Sequence, residues 1–243
     1  MDAVLSIRDV AVSYGKKQVL HGINLDIASG ETFGLIGLNG AGKTTLIKTI
    51  LGLRDPQGGN ISIGGHDRLH KESRMQLAFL PERFDPPLFL NGMEFLKFSA
   101  GFYKRPFSED EARDHARMLA LDPDALPRRV NTYSKGMRQK LGLMATLLTG
   151  CRLLILDEPM SGLDPLARQL VKNALLATKS KGHTVFLSSH ILSDMSEICD
   201  RVAVMDQGRL VYTGTPAGLL KGGNDPNIEK AFLNLIGRSA QAA

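Results

Sequence analysis

Residues 37–44 read Gly-Leu-Asn-Gly-Ala-Gly-Lys-Thr, a glycine-rich run that ends in a lysine and a hydroxyl residue. The stretch before it, ETFGLIG, has the apolar pattern of a strand, and the stretch after it, KTTLIKTILG, has the spacing of a helix that stops at Gly52. This order of strand, GxxxxGK[ST] and helix is typical of a loop whose backbone N–H groups hold phosphate oxygens. We expect Lys43 to reach the β- and γ-phosphates of a nucleotide and Thr44 to offer its hydroxyl to Mg²⁺.

A second candidate segment, residues 152–159, reads RLLILDEP and ends an apolar run with two carboxylates. Such a run is typical of a strand buried on both faces, and open α/β sheets place ligands at the carboxyl ends of their strands. Asp157 fits a Mg²⁺ partner, directly or through water. Glu158 is placed to orient and deprotonate an attacking water as a general base. Alone, the pair would be a solvated loop, but behind a phosphate-loop motif it indicates a nucleotide hydrolase.

The chain alternates strand-like and helix-like segments, which predicts an α/β fold with a P-loop NTPase core, a parallel sheet and crossover helices. Residues 4–36 have strand periodicity and would form a β-rich N-terminal subdomain. Asp164 followed by a proline predicts the start of a helix. Gln207 and Gly208 predict the turn of a hairpin.

Residues 84–150 have a different, helical character. Within them, Ser108 and Glu111 fit a capping box that opens a helix. This stretch is predicted to be a helical subdomain inserted into the α/β chain. We expect a single domain over residues 1–243, with an ATP-binding core lobe at 1–83 and 151–243 and the helical subdomain at 84–150.

The composition is that of an ordinary globular domain. The chain has 243 residues, 43% of them hydrophobic and 23% charged, which suits a buried core. No apolar run approaches the roughly 20 residues that span a bilayer, and the N-terminus lacks the blocks of a secretory signal. We therefore expect a cytosolic protein in which Cys151 and Cys199 are free thiols. The net charge of +5 is scattered, so no nucleic acid partner is expected.

Four further segments narrow the identification. They are Tyr14 ahead of the phosphate loop, YSKGM at 133–137, SGLD at 161–164 and SSH at 188–190. In this order and at these spacings, the chain resembles the nucleotide-binding domains of ATP-binding-cassette (ABC) transporters over residues 4 to 220. The pairing of LPE with YSKGM resembles the subset of this family that powers ABC-2-type exporters.

The resemblance implies a role for each matched position. Tyr14 would stack on adenine, and His190 would touch the γ-phosphate and help to hold the attacking water. Ser134 and Gly136 would contact the γ-phosphate held by a second subunit, and Asp164 would link the two sites. The catalytic residues would be Glu158, His190 and Lys43. The nucleotide would be bound by Tyr14, Gly37, Leu38, Asn39, Gly40, Ala41, Gly42, Lys43, Thr44, Thr45, Ser134, Gly136 and Asp164, and Mg²⁺ by Thr44, Glu82 and Asp157.

The sequence departs from the family pattern in two places. The signature is commonly LSGGQ, and this chain has Tyr133, Lys135 and Met137 at its first, third and fifth positions. Glu82 stands where the family usually has a glutamine that contacts Mg²⁺ and water. A carboxylate accepts the same contacts, but it adds negative charge beside Asp157 and Glu158. We therefore expect ATPase activity, but the sequence does not show how Glu82 changes its rate.

The resemblance also implies the partners and the location. Two copies, or this chain and a paralogous ATPase subunit, would close on two ATP molecules. A separate transmembrane permease would bind the pair, so this chain would lie on the cytoplasmic side of the inner or plasma membrane as a peripheral protein. Several aromatic residues lie where the family receives a helix of the permease, although they could equally pack the helical subdomain: Phe84, Phe89, Phe95 and Phe98.

Other functions remain open at this point. A soluble ABC ATPase that acts as a scaffold in cofactor or metal-cluster assembly would have the same single domain. An ABC ATPase acting on nucleic acid would usually carry two fused domains or a long coiled coil, and this chain has neither. A nucleotide kinase or GTPase would not need Ser134, Gly136 or His190, and the chain has no NKxD motif.

Overall fold

The structure, a computed structural model, describes residues 2–223 and 228–241. Met1, residues 224–227 and residues 242–243 of the predicted domain lie outside the described residues. The strands are β1 (Ala3–Tyr14), β2 (Lys17–Ala28), β3 (Thr32–Ile36), β4 (Gly58–Ile63), β5 (His66–Asp67), β6 (Leu77–Leu80), β7 (Leu153–Asp157), β8 (Thr184–Ser189), β9 (Arg201–Asp206) and β10 (Arg209–Gly214).

The helices follow the same alternating order. They are α1 (Lys43–Ile50), α2 (Lys71–Met75), α3 (Gly92–Phe102), α4 (Glu109–Met118), α5 (Lys135–Leu147), α6 (Pro165–Ser180), α7 (Leu192–Ile198), α8 (Pro216–Gly223) and α9 (Ile228–Gln241). Two 3₁₀ turns, Pro123–Ala125 and Val130–Thr132, lie between α4 and α5.

The described strands form two sheets. The N-terminal sheet has the order β2-β1-β4-β5 and is antiparallel. The larger sheet has the order β10-β9-β3-β8-β7-β6, and all its pairs are parallel except β9 with β10. The predicted fold class, a P-loop α/β core with a parallel sheet and a β-rich N-terminal part, is confirmed.

The central strands are apolar because both of their faces are covered. Every residue of β3, β7 and β8 is buried. One face packs against the N-terminal sheet and α1, in a cluster that includes Phe33 and Phe186 with their ring centroids 6.1 Å apart. The other face packs against the helices that follow β6 and β7. Burial on both faces stabilises the sheet by roughly 25 cal/mol for each Å² of apolar surface removed from water.

Residues 84–150 contain α3, α4, α5 and both 3₁₀ turns, together with one isolated bridge between Asn91 and Arg129. Leu141 and Met144 of α5 belong to the same apolar cluster as Leu154 and Leu156 of β7. The helices therefore share a core with the sheet, and their description as a separate subdomain stays a prediction.

The capping box predicted at Ser108 is only half formed. Ser108 Oγ accepts from the backbone N–H of Glu111 at 3.2 Å, but the Glu111 carboxylate pairs with Arg105 at 2.8 Å instead of returning to the cap. A complete box opens α3, where Asn91 and Glu94 exchange both hydrogen bonds at 2.8 Å. The capping pattern predicted the start of the helix correctly. The Glu111 carboxylate bonds to Arg105 instead of to the cap because a charge-assisted hydrogen bond is stronger.

Candidate nucleotide site

The candidate site lies at one edge of the parallel sheet, where three neighbouring strands end. β8 pairs with β3 on one side and with β7 on the other, and Ser188 and Ser189 of β8 lie level with Asp157 and Ile36. The loop after each of these strands therefore begins at the same edge. The strand order brings together residues 37–44, the two carboxylates and His190, which are far apart in sequence.

The phosphate loop after β3 has the compact backbone that its glycines permit. A Cβ at Gly37 would lie 2.6 Å from the carbonyl oxygen of Met205, so no side chain fits there. Gly40 and Gly42 have φ values of 84° and 112°, a region that L side chains rarely adopt. The helix α1 begins directly after Gly42, and its first N–H groups face the loop with the positive end of the helix dipole. The loop is thus shaped for an anion.

Lys43 is buried at the start of α1, with 6% of its surface exposed. Its Nζ donates to the carbonyl oxygen of Gly37 at 2.7 Å and lies 3.5 Å from Glu158 Oε1. A buried ammonium requires such partners, because an unpaired charge is costly away from water. The lysine is therefore held at the loop by groups that an incoming phosphate can replace.

A hydrogen-bond chain fixes the two carboxylates. Thr44 Oγ1 donates to Asp157 Oδ2 at 3.2 Å. Ser188 Oγ donates to Asp157 Oδ1 at 2.5 Å and accepts from the backbone N–H of Glu158 at 3.0 Å. Ser188 is fully buried. Because its one hydroxyl bonds both the Asp157 carboxylate and the Glu158 backbone, it positions both acidic residues.

Glu158 has the most constrained position in the site. Its φ of 50° is in the left-handed region, which costs a residue other than glycine about 1–3 kcal/mol. Its side chain is almost fully buried, and Oε2 lies 2.9 Å from Nδ1 of the half-exposed His190. One carboxylate oxygen thus faces Lys43 and the other faces His190.

These residues line a cleft of about 320 Å³. Of the predicted site residues, the cleft contains Leu38, Asn39, Gly40, Gly42, Lys43, Thr44, Thr45, Glu82, Glu158 and His190. Gly37, Ala41 and Asp157 lie directly behind it: Gly37 bonds to Lys43, Ala41 N–H donates to the Leu38 carbonyl at 3.1 Å, and Asp157 bonds to Thr44.

Four further predicted residues lie outside this cleft: Tyr14, Ser134, Gly136 and Asp164. Ser134 and Asp164 are the N-caps of α5 and α6, and each side chain accepts a backbone N–H from its own helix. Gly136 lines a second, adjoining depression of about 540 Å³, which shares Glu82 and Ser161 with the first.

The sequence reasoning gave no role to three residues of this site. Val19 and Ser161 line the cleft, and Ser188 connects Asp157 to Glu158. Ser161 and Ser188 belong to the SGLD and SSH segments, and Ser188, as a polar residue near the end of a buried strand, needs a buried partner.

Taken together, the sheet edge, the phosphate loop and the strand-borne carboxylates define an α/β nucleotide-binding domain. Residues 20–161 match the model of the ABC transporter family. The chain belongs to this family, as its motifs predicted, and it is an ATP-binding domain of that type.

Similar proteins agree with this assignment. An uncharacterized ABC transporter ATP-binding protein of Nostoc is 39% identical over 213 residues, which are 86% of this chain and 64% of the relative. The Nod factor export ATP-binding protein I of Rhizobium meliloti is 35% identical over 226 residues, which are 89% of this chain and 65% of the relative. The chain thus spans slightly less than two thirds of these relatives.

A solved structure described as the ATP binding subunit of an ABC transporter has the same fold. It is 32% identical to this chain, covers 96% of it and 99% of its own length, and superposes with a TM-score of 0.87. In the part of this chain that the structure describes, no helix combines the length and apolar composition needed to cross a bilayer.

Proposed function

We propose that this chain hydrolyses ATP as the motor subunit of an ABC transporter and drives export through a separate membrane permease. The observation that carries the proposal is the position of Glu158, a buried carboxylate at the mouth of a phosphate-loop cleft between Lys43 and His190. A glutamate with that surrounding is placed to accept a proton from a water that attacks the γ-phosphate.

The phosphate loop and Lys43 bind the triphosphate in this proposal. Backbone N–H groups of residues 38–44 surround the phosphate oxygens, and Lys43 exchanges its present acceptors for the β- and γ-phosphates. Thr44 and Asp157 present oxygen atoms 3.2 Å apart, which is the ligand chemistry that Mg²⁺ prefers, and Glu82 lines the same cleft. Mg²⁺, when bound there, neutralises charge on the β- and γ-phosphates.

Glu158 and His190 then act on the water. The left-handed backbone of Glu158 and its bond to Ser188 fix the direction in which the carboxylate leaves β7. His190 Nδ1 contacts Glu158, so the opposite ring nitrogen is free to face the γ-phosphate. The proposed assignment is Glu158 as base, with His190 and Lys43 stabilising the charge that develops on the phosphate.

A second nucleotide-binding subunit completes the site. Ser134, Gly136 and Asp164 lie outside the cleft of their own chain, yet Ser134 and Asp164 each stand at the N-terminus of a helix, where phosphate is favoured. We therefore propose that a second copy, or a paralogous ATPase subunit, places these residues on the nucleotide.

The permease is proposed to bind beside α3. Of the four aromatic residues considered in the sequence, Phe84 and Phe95 pack edge to face with centroids 5.5 Å apart and belong to the interior. Phe89 and Phe98 are 72% and 54% exposed, and Phe98 contacts Phe102, which is 65% exposed. Exposed rings of this kind are typical of a protein interface. This binding places the chain at the cytoplasmic face of the membrane as a peripheral subunit.

The chemistry is tested by phosphate release from purified protein. Lys43→Ala should abolish turnover, whereas Lys48→Ala, an exposed lysine of the same helix α1, should leave it intact. Glu158→Gln should bind ATP without hydrolysing it and should elute as a dimer at saturating ATP. Normal turnover in Lys43→Ala would overturn the site assignment, and a Glu158→Gln monomer would remove the two-subunit arrangement.

The transport role is tested by co-purification. Tagged Glu158→Gln protein is expressed in its native host and purified with ATP from detergent-solubilised membranes, and the proteins that accompany it are identified by mass spectrometry. A stoichiometric multi-span membrane protein supports the transporter. Soluble partners alone, with the tagged chain absent from membranes, would favour a scaffold ATPase and leave only the ATP chemistry.

A further inference from the structure

The end of β1, where Tyr14 lies, is held by the segment that follows α1. The guanidinium carbon of Arg54 lies over the Tyr14 ring, 4.4 Å from its centroid. The same guanidinium donates to the carbonyl oxygen of Ser13, and the backbone N–H of Ser13 donates to Gln57 Oε1 at 2.7 Å. Arg54 and Gln57, from the segment after α1, thus contact two consecutive residues at the end of β1, Ser13 and Tyr14.

This segment is itself rigidly attached to α1. Gly52, with φ 71°, ends the helix, and the N–H of Leu53 donates back to the Lys48 carbonyl at 2.9 Å. These are the bonds of a Schellman motif, which fixes the direction of the chain after a helix. Asp55 then pairs with the buried Arg68 at 2.8 Å. The position of residues 54–57 is therefore set by the helix.

The other end of α1 is the phosphate loop. α1 has eight residues and begins at Lys43, so a short rigid rod connects the loop to Arg54. In this arrangement, the loop before α1 would bind the phosphates of a nucleotide. The segment after α1 would contact Tyr14, the residue that stacks on the base of the same nucleotide. Tyr14 keeps 45% of its surface exposed, so the side chain remains accessible to a ligand.

We propose that Arg54 is a positioning residue for nucleotide recognition, which backs the Tyr14 ring so that its other face receives adenine. The inference rests on the proposed ATP-binding function and on the role that the family resemblance implies for Tyr14, which is to stack on adenine. A cation over one face of an aromatic ring is attractive, and here the additional bond to the Ser13 carbonyl holds the guanidinium beside the ring. Arg54 contacts no phosphate in this arrangement and acts through Tyr14.

The test compares two ligands in the Glu158→Gln parent, which does not consume ATP. Isothermal titration calorimetry measures the Kd of MgATP and of magnesium tripolyphosphate, which lacks the base, for the parent and for Arg54→Met. We expect Arg54→Met to weaken ATP binding about two- to fivefold, the range that one exposed cation–π contact supplies, and to leave tripolyphosphate binding unchanged. Arg8→Met, which removes an exposed arginine of β1 paired with Asp26, is the matched control and should change neither.

A double-mutant cycle shows whether the arginine acts through the ring. In a Tyr14→Ala background, Arg54→Met should cause no further loss of ATP affinity. Equal loss in both backgrounds, or equal weakening of ATP and tripolyphosphate, would overturn the inference, as would an unchanged ATP affinity. Should Arg54→Met unfold, Arg54→Gln takes its place with the same expectations. A parent that binds neither ligand contradicts the proposed function instead, so the two failures are distinguishable.

Discussion

Ser188 gives the sharpest prediction, because one buried hydroxyl serves both carboxylates. In Ser188→Ala, Asp157 loses the donor at 2.5 Å and the backbone N–H of Glu158 loses the acceptor at 3.0 Å. A hydrogen bond to a charged group contributes about 1.5–3 kcal/mol and a neutral one about 0.5–1.5 kcal/mol. The sum predicts a loss of about 2–4.5 kcal/mol in the free energy of unfolding, which lowers the Tm of a chain of this size by roughly 4–18 °C.

Catalysis should suffer beyond this loss of stability. The left-handed backbone of Glu158 is unfavourable for a glutamate, so removal of the Ser188 bond lets the backbone relax and misdirects the carboxylate. A misplacement of about 1 Å costs about 100-fold in rate, so a shift of Glu158 on this scale or smaller predicts a loss of about 10–100-fold. We expect kcat for ATP to fall by that factor at a temperature where the variant is folded, while KM changes little.

The assay is phosphate release as a function of ATP concentration, with circular dichroism to confirm folding. Thr184→Val is the matched control: Thr184 is also fully buried in β8, and its hydroxyl accepts from the Gly30 N–H at 2.8 Å at the opposite end of the strand. The control should lose about 0.5–1.5 kcal/mol and keep its kcat. A wild-type kcat in Ser188→Ala, or an equal loss of kcat in both variants, would refute the reasoning.

Three further changes test other parts of the molecule. Glu82→Gln should retain basal phosphate release, because either side chain accepts from Mg²⁺-bound water; complete loss would show a specific need for the carboxylate. Tyr133→Phe removes the buried hydroxyl that donates to the Ala125 carbonyl at 2.8 Å, and should lower the free energy of unfolding in urea titration by about 1 kcal/mol; no change would mean that the bond is replaced. Lys172→Met removes the ammonium 3.3 Å from the buried Asp194, which keeps only Arg168 at 3.6 Å, and should cost about 1.5–3 kcal/mol, measured in the same way; stability equal to wild type would contradict the ion pair.

Local chemistry explains which parts of the fold could be predicted from sequence. The helix at Asp164 was predicted from a cap residue and a proline, and Asp164 Oδ1 does accept from the Ala167 N–H at 2.8 Å. The hairpin was predicted from Gln207 and Gly208, and both have the positive φ that a type I′ turn requires. Each of these two predictions depends on only a few consecutive residues, so the sequence alone supports it.

Long-range pairing explains what the sequence could not supply. The position of β8 between β3 and β7 depends on contacts between distant segments, and no local sequence pattern predicts it. The contact of Arg54 with Tyr14 is of the same kind, since it joins a strand to the end of a helix. Ser188 is part of the SSH segment, but its bonds to Asp157 and Glu158 form only because β7 and β8 lie side by side.

In the function proposed above, nucleotide binding is connected to the freeing of the base through Lys43. Glu158 Oε1 lies 3.5 Å from the Lys43 ammonium, which is its ionic partner on this side. Because the phosphates are stronger acceptors for Lys43, their binding withdraws the lysine from Glu158. The contact with His190 on the other oxygen need not break, so the carboxylate keeps its orientation while Oε1 becomes free to accept a proton. On this proposal, the lysine that binds ATP also frees the carboxylate that acts as the base.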